Sequence, residues 1–120
     1  VQTRLLVVED EPDIATILRM ILDPARYEVM VVGDLAAARE ILPKWGPPHL
    51  VILDLILPDG NGLDLCRELK TVQPPVPVLV LTARCEARDE AFTAGADLFV
   101  TKPFEPDELE AAVERLLGAA

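Results

Sequence analysis

Leu50-Val51-Ile52-Leu53-Asp54 decides the fold, because an aliphatic run ends abruptly on an acid and is followed by Leu55-Ile56-Leu57-Pro58-Asp59-Gly60-Asn61-Gly62. A run this short, bounded by polar and turn residues, reads as a parallel strand covered on both faces. The pattern recurs outward in both directions. Leu5-Leu6-Val7-Val8 runs into Glu9-Asp10, Val78-Leu79-Val80-Leu81 into Thr82-Ala83, and Leu98-Phe99-Val100 into Thr101-Lys102-Pro103. Parallel strands end at one edge of their sheet, and ligand sites of open α/β folds lie beyond that edge. Glu9, Asp10, Asp54, Thr82 and Lys102 are therefore expected to converge there.

Helical patterns alternate with the strands, as a parallel α/β sheet demands. Pro12 opens a first helix, in which Ile14, Ile17, Leu18 and Ile21 recur at helical spacing. Tyr27–Val32 reads as the second strand, and Asp34 caps a helix over 35–42 that Pro43 is expected to stop. The third helix starts at Gly62 or Leu63, with Leu65 and Leu69 facing the core. Residues 86–94 form a short helix ended by Gly95, and Pro106 opens a last one carrying Leu109, Ala112, Val113, Leu116 and Leu117.

The expected convergence has electrostatic consequences. Two carboxylates about 4 Å apart repel by roughly 4 kcal/mol at an effective dielectric near 20. One lysine does not offset three acids, so a proton is taken up or a cation binds. Hard oxygen donors on a partly open rim suit a hydrated Mg²⁺, with Mn²⁺ as an alternative. Thr82 adds a hydroxyl and Lys102 a point charge for phosphate oxygens. Metal, cation, donor and carboxylate nucleophile together are the parts of phosphoryl transfer.

The chain resembles a receiver domain of a bacterial two-component response regulator from Leu5 to about Leu117. The resemblance rests on Val7-Val8-Glu9-Asp10-Glu11, on Asp54 through Gly62, on Leu81-Thr82-Ala83, on Gly95-Ala96-Asp97 and on Lys102-Pro103-Phe104. It implies a flavodoxin-like, doubly wound α/β fold, with a parallel sheet of five strands in the order 2-1-3-4-5 and five helices. It also implies that Asp54 accepts a phosphoryl group from the phosphohistidine of a histidine kinase or a histidine phosphotransferase. Asp10, Asp54 and the backbone carbonyl of Ile56 would bind Mg²⁺, with Glu9 acting mainly through metal-bound water. Thr82, Ala83 and Lys102 would surround the phosphoryl group, and the Lys102–Pro103 bond would be cis. Thr82 and Phe99 would carry the switch to the face made by the fourth helix, fifth strand and fifth helix. Asp13, Ile14, Ile17 and Pro103 would meet the kinase partner. Such a module is a phosphoacceptor rather than an enzyme, although it assists its own phosphorylation and slow dephosphorylation.

Composition agrees with this resemblance. A length of 120 residues suits one domain, so residues 1–120 are expected to be a single receiver unit with any effector outside them. A net charge of −10 argues against direct nucleic-acid binding. No apolar run approaches the roughly 20 residues that span a bilayer, no signal-peptide pattern opens the chain, and a cytoplasmic location is expected. Cys66 and Cys85 stand in no metal spacing and are expected as free thiols. Glu11 and His49 read as surface residues, and Trp45 as half-buried in the connection before the third strand. The resemblance also allows a phosphorylation-dependent homodimer held by charged pairs, a pattern that Arg88, Asp97 and Glu108 fit and that Leu98 and Ala112 break.

Three other readings compete. A haloacid-dehalogenase-like phosphatase needs a second acid two residues after its nucleophile, where this chain has Ile56. A flavin binder of the same fold cradles phosphate after its first strand, where Glu9-Asp10-Glu11 would repel it. A receiver-like binding module without chemistry would not need the full set of acids, hydroxyl and lysine.

Overall fold

The apolar runs form strands, and the computed structural model, which describes residues 2–118, joins them in one sheet. The strands are β1 (Thr3–Val8), β2 (Tyr27–Val32), β3 (Leu50–Leu53), β4 (Val78–Thr82) and β5 (Leu98–Thr101). All pair in parallel, in the spatial order β2-β1-β3-β4-β5. The helices are α1 (Pro12–Ile21), α2 (Leu35–Trp45), α3 (Gly62–Thr71), α4 (Arg88–Thr93) and α5 (Pro106–Leu116).

The period-two alternation of a strand sends neighbouring side chains into two cores. Leu5, Val7, Leu50, Ile52, Leu79 and Leu81 pack on Leu18 and Leu22 of the α1 side and on Leu109 and Val113 of α5. Leu6, Val8, Val51, Leu53, Val78 and Val80 pack instead on residues of α2, α3 and α4, among them Leu35, Ala38, Leu65, Leu69 and Ala91. Each leucine buried this fully contributes roughly 1.5–3 kcal/mol. Burial on both faces explains why the strands read as continuous apolar runs. It also locks the register, because a one-residue slip would exchange the two cores. In that register Val8 stands beside Leu53, Leu53 beside Val80, and Thr82 beside Thr101. The strand ends are level, and the chemistry sits beyond them.

Several local expectations need correction or completion. Pro43 does not stop α2, which continues to Trp45. A proline in the last turn forfeits only one internal hydrogen bond, and the turn is closed by the Gly46 amide donating to Leu42 at 3.0 Å. From β1 the Arg4 guanidinium also donates to the carbonyls of Trp45 and Gly46 and stacks 4.6 Å from the Trp45 ring. Trp45 thus ends a helix rather than standing in a connection. Residues 85–87 form a 3₁₀ turn before α4, so the helix over 86–94 is partly of the tighter type. Between β3 and α3, Ile56–Leu57 pairs antiparallel with Gly60–Asn61, a small hairpin that the apolar pattern does not announce. On α1, Leu18 is buried and Ile14 half-buried, but Ile17 is 40% exposed.

Other expectations hold. Cys66 is buried and Cys85 exposed, both free. His49 is exposed, and its Nδ1 accepts the Arg4 backbone N–H at 2.9 Å. Among the described residues, no helix is long and apolar enough to cross a membrane.

Candidate functional site

Backbone bonds that complete the sheet also fix the site. The Glu9 amide donates to Val32 at 2.9 Å, that of Asp54 to Val8 at 3.0 Å, and that of Lys102 to Thr82 at 2.9 Å. Each of these residues stands one place past a strand end, so the last rung of the ladder sets its position. Glu9 and Asp54 are both only 4% exposed, and Thr82 is fully buried.

The side chains converge on one ammonium. Lys102 Nζ lies 2.8 Å from Glu9 Oε1, 2.8 Å from Asp54 Oδ2 and 3.0 Å from Glu11 Oε1. Glu9 Oε2 accepts the Glu11 amide at 3.1 Å, which folds the acidic turn back on itself. Burial pushes the Glu9 carboxyl above its ordinary range, against the pull of its hydrogen bond to Lys102. For Lys102, burial works against the charge, but the hydrogen bonds to Asp54, Glu9 and Glu11 outweigh it and hold the ammonium above the ordinary lysine value.

One cation does not balance this set. Carboxylate oxygens of Glu9, Asp10, Glu11 and Asp54 all lie within 4.8 Å of one another. Asp10 is exposed, so the cluster opens to solvent on one side. Hard, anionic oxygen donors in excess over their lysine partner suit a divalent cation that keeps part of its water. The donor set fits a metal ion.

The loop after Asp54 is built tightly. Asp54 Oδ1 accepts the Ile56 amide at 3.1 Å, while the Ile56 side chain is half-exposed. The Gly62 amide donates to the Leu55 carbonyl at 3.0 Å. A Cβ on Gly62 would stand 2.3 Å from the Asp54 carbonyl oxygen and 3.0 Å from Leu55 Cα, so only glycine allows the loop to close. Asn61 Oδ1 then accepts the Leu63 amide at 2.9 Å and starts α3.

The remaining candidates lie around this centre. Thr82 Oγ1 accepts the Arg84 amide at 3.3 Å, and Ala83 is exposed beside it. Lys102–Pro103 is a cis peptide, and Pro103 is exposed. Because Glu11 reaches Lys102, the start of α1, with exposed Asp13 and half-buried Ile14, adjoins the loop after β5. Phe99 is outside the acidic centre. It is 8% exposed in β5, with the Arg88 guanidinium 5.7 Å from its ring centre.

Over residues 5–114 the chain matches the family described as the response regulator receiver domain. The chain belongs to this family. It is 41% identical to the DNA-binding response regulator MtrA of Mycolicibacterium smegmatis, across 95% of the receiver and 50% of that protein. The receiver thus spans about half the length of the curated relatives it matches. The BeF3-activated DrrB receiver domain of Thermotoga maritima superimposes with a TM-score of 0.84 at 33% identity, covering 98% of each chain. The receiver domain of sensor histidine kinase PA1611 from Pseudomonas aeruginosa does so with a TM-score of 0.83 at 27% identity, covering 99% of this chain and 100% of that one. That structure has a magnesium ion coordinated in the active site cleft.

Three acids of this receiver do more than sequence reading assigns them. Glu11, read as a surface charge, is exposed but shares Lys102 with Glu9 and Asp54. Its place directly after Glu9-Asp10 is the only signal for that. Asp59 looks like a turn residue between Pro58 and Gly60, yet it accepts the amides of Leu35 and Ala36 at the start of α2. Asp97 has a similar history. Read as one member of a charged dimer pattern, it is bound within the chain by Lys70 at 2.5 Å and by the Val78 amide at 2.8 Å.

Proposed function

We propose that this receiver takes a phosphoryl group from a phosphohistidine onto Asp54. The observation that carries the reading is a nearly buried Asp54 carboxylate 2.8 Å from Lys102 Nζ at the level edge of the sheet. An Asp54 oxygen attacks phosphorus, the phosphorus–nitrogen bond to the donor imidazole breaks, and the leaving imidazole keeps the electron pair and takes up a proton. Lys102 then transfers its hydrogen bond from the Asp54 carboxylate to a phosphoryl oxygen, with Thr82 and Ala83 on the same rim. Glu9, Asp10, Asp54 and the carbonyl of Ile56 would hold Mg²⁺ or Mn²⁺, which supplies positive charge against the phosphoryl oxygens. The protein is its own phosphoacceptor.

The donor is a histidine kinase or histidine phosphotransferase in the cytoplasm, meeting Asp13, Ile14, Ile17 and Pro103. Residues 1–120 act as one receiver unit that does not itself bind nucleic acid, and any output element lies outside them. The greater length of relatives such as the DNA-binding MtrA supports this division. Thr82 and Phe99 carry the switch, with Thr82 drawn toward the new phosphoryl group and Phe99 following. Homodimerisation after phosphorylation would use the α4-β5-α5 face.

Acetyl phosphate with Mg²⁺ tests the reading. One phosphoryl mass should be added to the wild-type protein and none to Asp54→Asn, or to the wild-type protein without metal. Labelling that persists in Asp54→Asn would place the acceptor elsewhere.

A further inference from the structure

The N-terminus of α2 carries two aspartate caps of different origin. Asp34 is local: its Oδ1 accepts the Ala37 amide at 2.7 Å, the ordinary bond of an N-cap residue. Asp59 comes from the loop after Asp54. Its Oδ1 accepts the Leu35 amide and its Oδ2 the Ala36 amide, each at 2.9 Å. Both oxygens of one carboxylate thus bind successive amides in the first turn of a helix whose dipole favours that charge. The loop is shaped to reach this far. Gly60 has φ +151°, and a Cβ there would stand 3.0 Å from Leu35 Cδ1. The other end of the same loop is Ile56, whose amide donates to Asp54 Oδ1 at 3.1 Å and which pairs with Asn61 across the hairpin.

We infer that Asp59 is a positioning residue: by binding the start of α2 it holds the acceptor loop so that Ile56 keeps its place against Asp54. Besides the Gly62–Leu55 backbone bond and the Ile56 bond to Asp54, the loop has three ties. Asn61 starts α3, the two-residue ladder joins the arms, and Asp59 fastens the tip to a different helix. Without the third tie the tip is free to swing about the short ladder, and the Ile56 peptide moves with it. This inference rests on the reading of the site as a metal-assisted phosphoacceptor where it concerns Mg²⁺. The part that concerns the Ile56 amide does not depend on metal.

The test compares Asp59→Ala with Asp34→Ala. Both remove a cap from α2, but only the first cuts the loop from the helix. Amide hydrogen exchange of the metal-free protein should be several-fold faster at Ile56 in Asp59→Ala and unchanged there in Asp34→Ala. The Mg²⁺ dissociation constant, from titration followed by amide shifts, should rise roughly tenfold in Asp59→Ala, as for other groups that orient metal ligands, and stay near wild type in Asp34→Ala. Asp59→Asn, which keeps one acceptor oxygen, should fall between and remains usable if the alanine variant folds poorly. Equal changes in the Asp59 and Asp34 variants would mean that helix capping alone is at work and would overturn the inference, as would wild-type exchange at Ile56 in Asp59→Ala. A wild-type protein that binds no Mg²⁺ would overturn the metal reading, while the exchange comparison would still decide the role of Asp59.

Discussion

Lys102 Nζ and Asp54 Oδ2 lie 2.8 Å apart although their residues are separated by 48 positions in the chain. Glu9 stands at the same distance from the same nitrogen, and all three groups are largely withdrawn from solvent. A buried cation shared by several carboxylates is a stability element as well as a chemical one. Removing one partner of such a pair leaves the others as uncompensated buried charge.

Lys102→Met should therefore lower the stability of the metal-free protein by about 3 kcal/mol, read as a fall in the urea midpoint. Saturating Mg²⁺ should restore part of that loss, because a divalent cation takes over the neutralisation and binds the folded state selectively. Phosphorylation from acetyl phosphate should remain poor even with Mg²⁺, since no ammonium is left to follow the transferring group. A midpoint unchanged by the substitution would mean that the carboxylates take up protons instead.

Gly62→Ala tests the closure of the loop after Asp54. The added Cβ would meet backbone atoms, with the Asp54 carbonyl oxygen at 2.3 Å, and backbone cannot step aside as a side-chain tip can. A loss of about 3 kcal/mol is expected, at the upper end of ordinary overpacking. Thermal or urea unfolding measures it, and Gly33→Ala, where nothing lies within 4 Å, is the control.

Asp59 gives a pH signature. The amides of Leu35 and Ala36 hold its carboxyl below the ordinary aspartate value of 3.8. A carboxyl with a depressed folded-state value contributes its stability fully above the unfolded value and loses it as pH falls through the folded one. Asp59→Asn should thus be less stable than wild type at neutral pH, and the gap should begin to close only below about 3.8. Urea midpoints across the acidic range would show this; a gap that closes well above that value would point to a different group.

Trp45 reports on the far end of the molecule. It stacks on Arg4, near the start of β1, whereas the acidic centre follows the end of that strand. Mg²⁺ titration should leave its fluorescence nearly unchanged, while Arg4→Ala should alter it by removing the stacked guanidinium. Strong quenching by Mg²⁺ would show that the end of α2 responds to the site.

The strands, the level edge and the central acids were legible in the sequence because each depends on local pattern. Short aliphatic runs buried on both faces have few alternatives, and parallel pairing brings their ends together without any knowledge of side-chain contacts. Asp54, Glu9, Thr82 and Lys102 follow from that rule alone. The tertiary structure decided what depends on distance through space. Glu11 joins Lys102 across 91 positions, Asp59 reaches α2 across 24, and Asp97 is taken by Lys70 across 27. Each is an exposed acid, which fits a solvated charge equally well. Pro43 shows the same division: its local preference is to end a helix, and the turn persists where Gly46 and Arg4 satisfy the last carbonyls. Periodicity specifies which face of an element is buried, but the partners of surface charges are set only once the elements are packed.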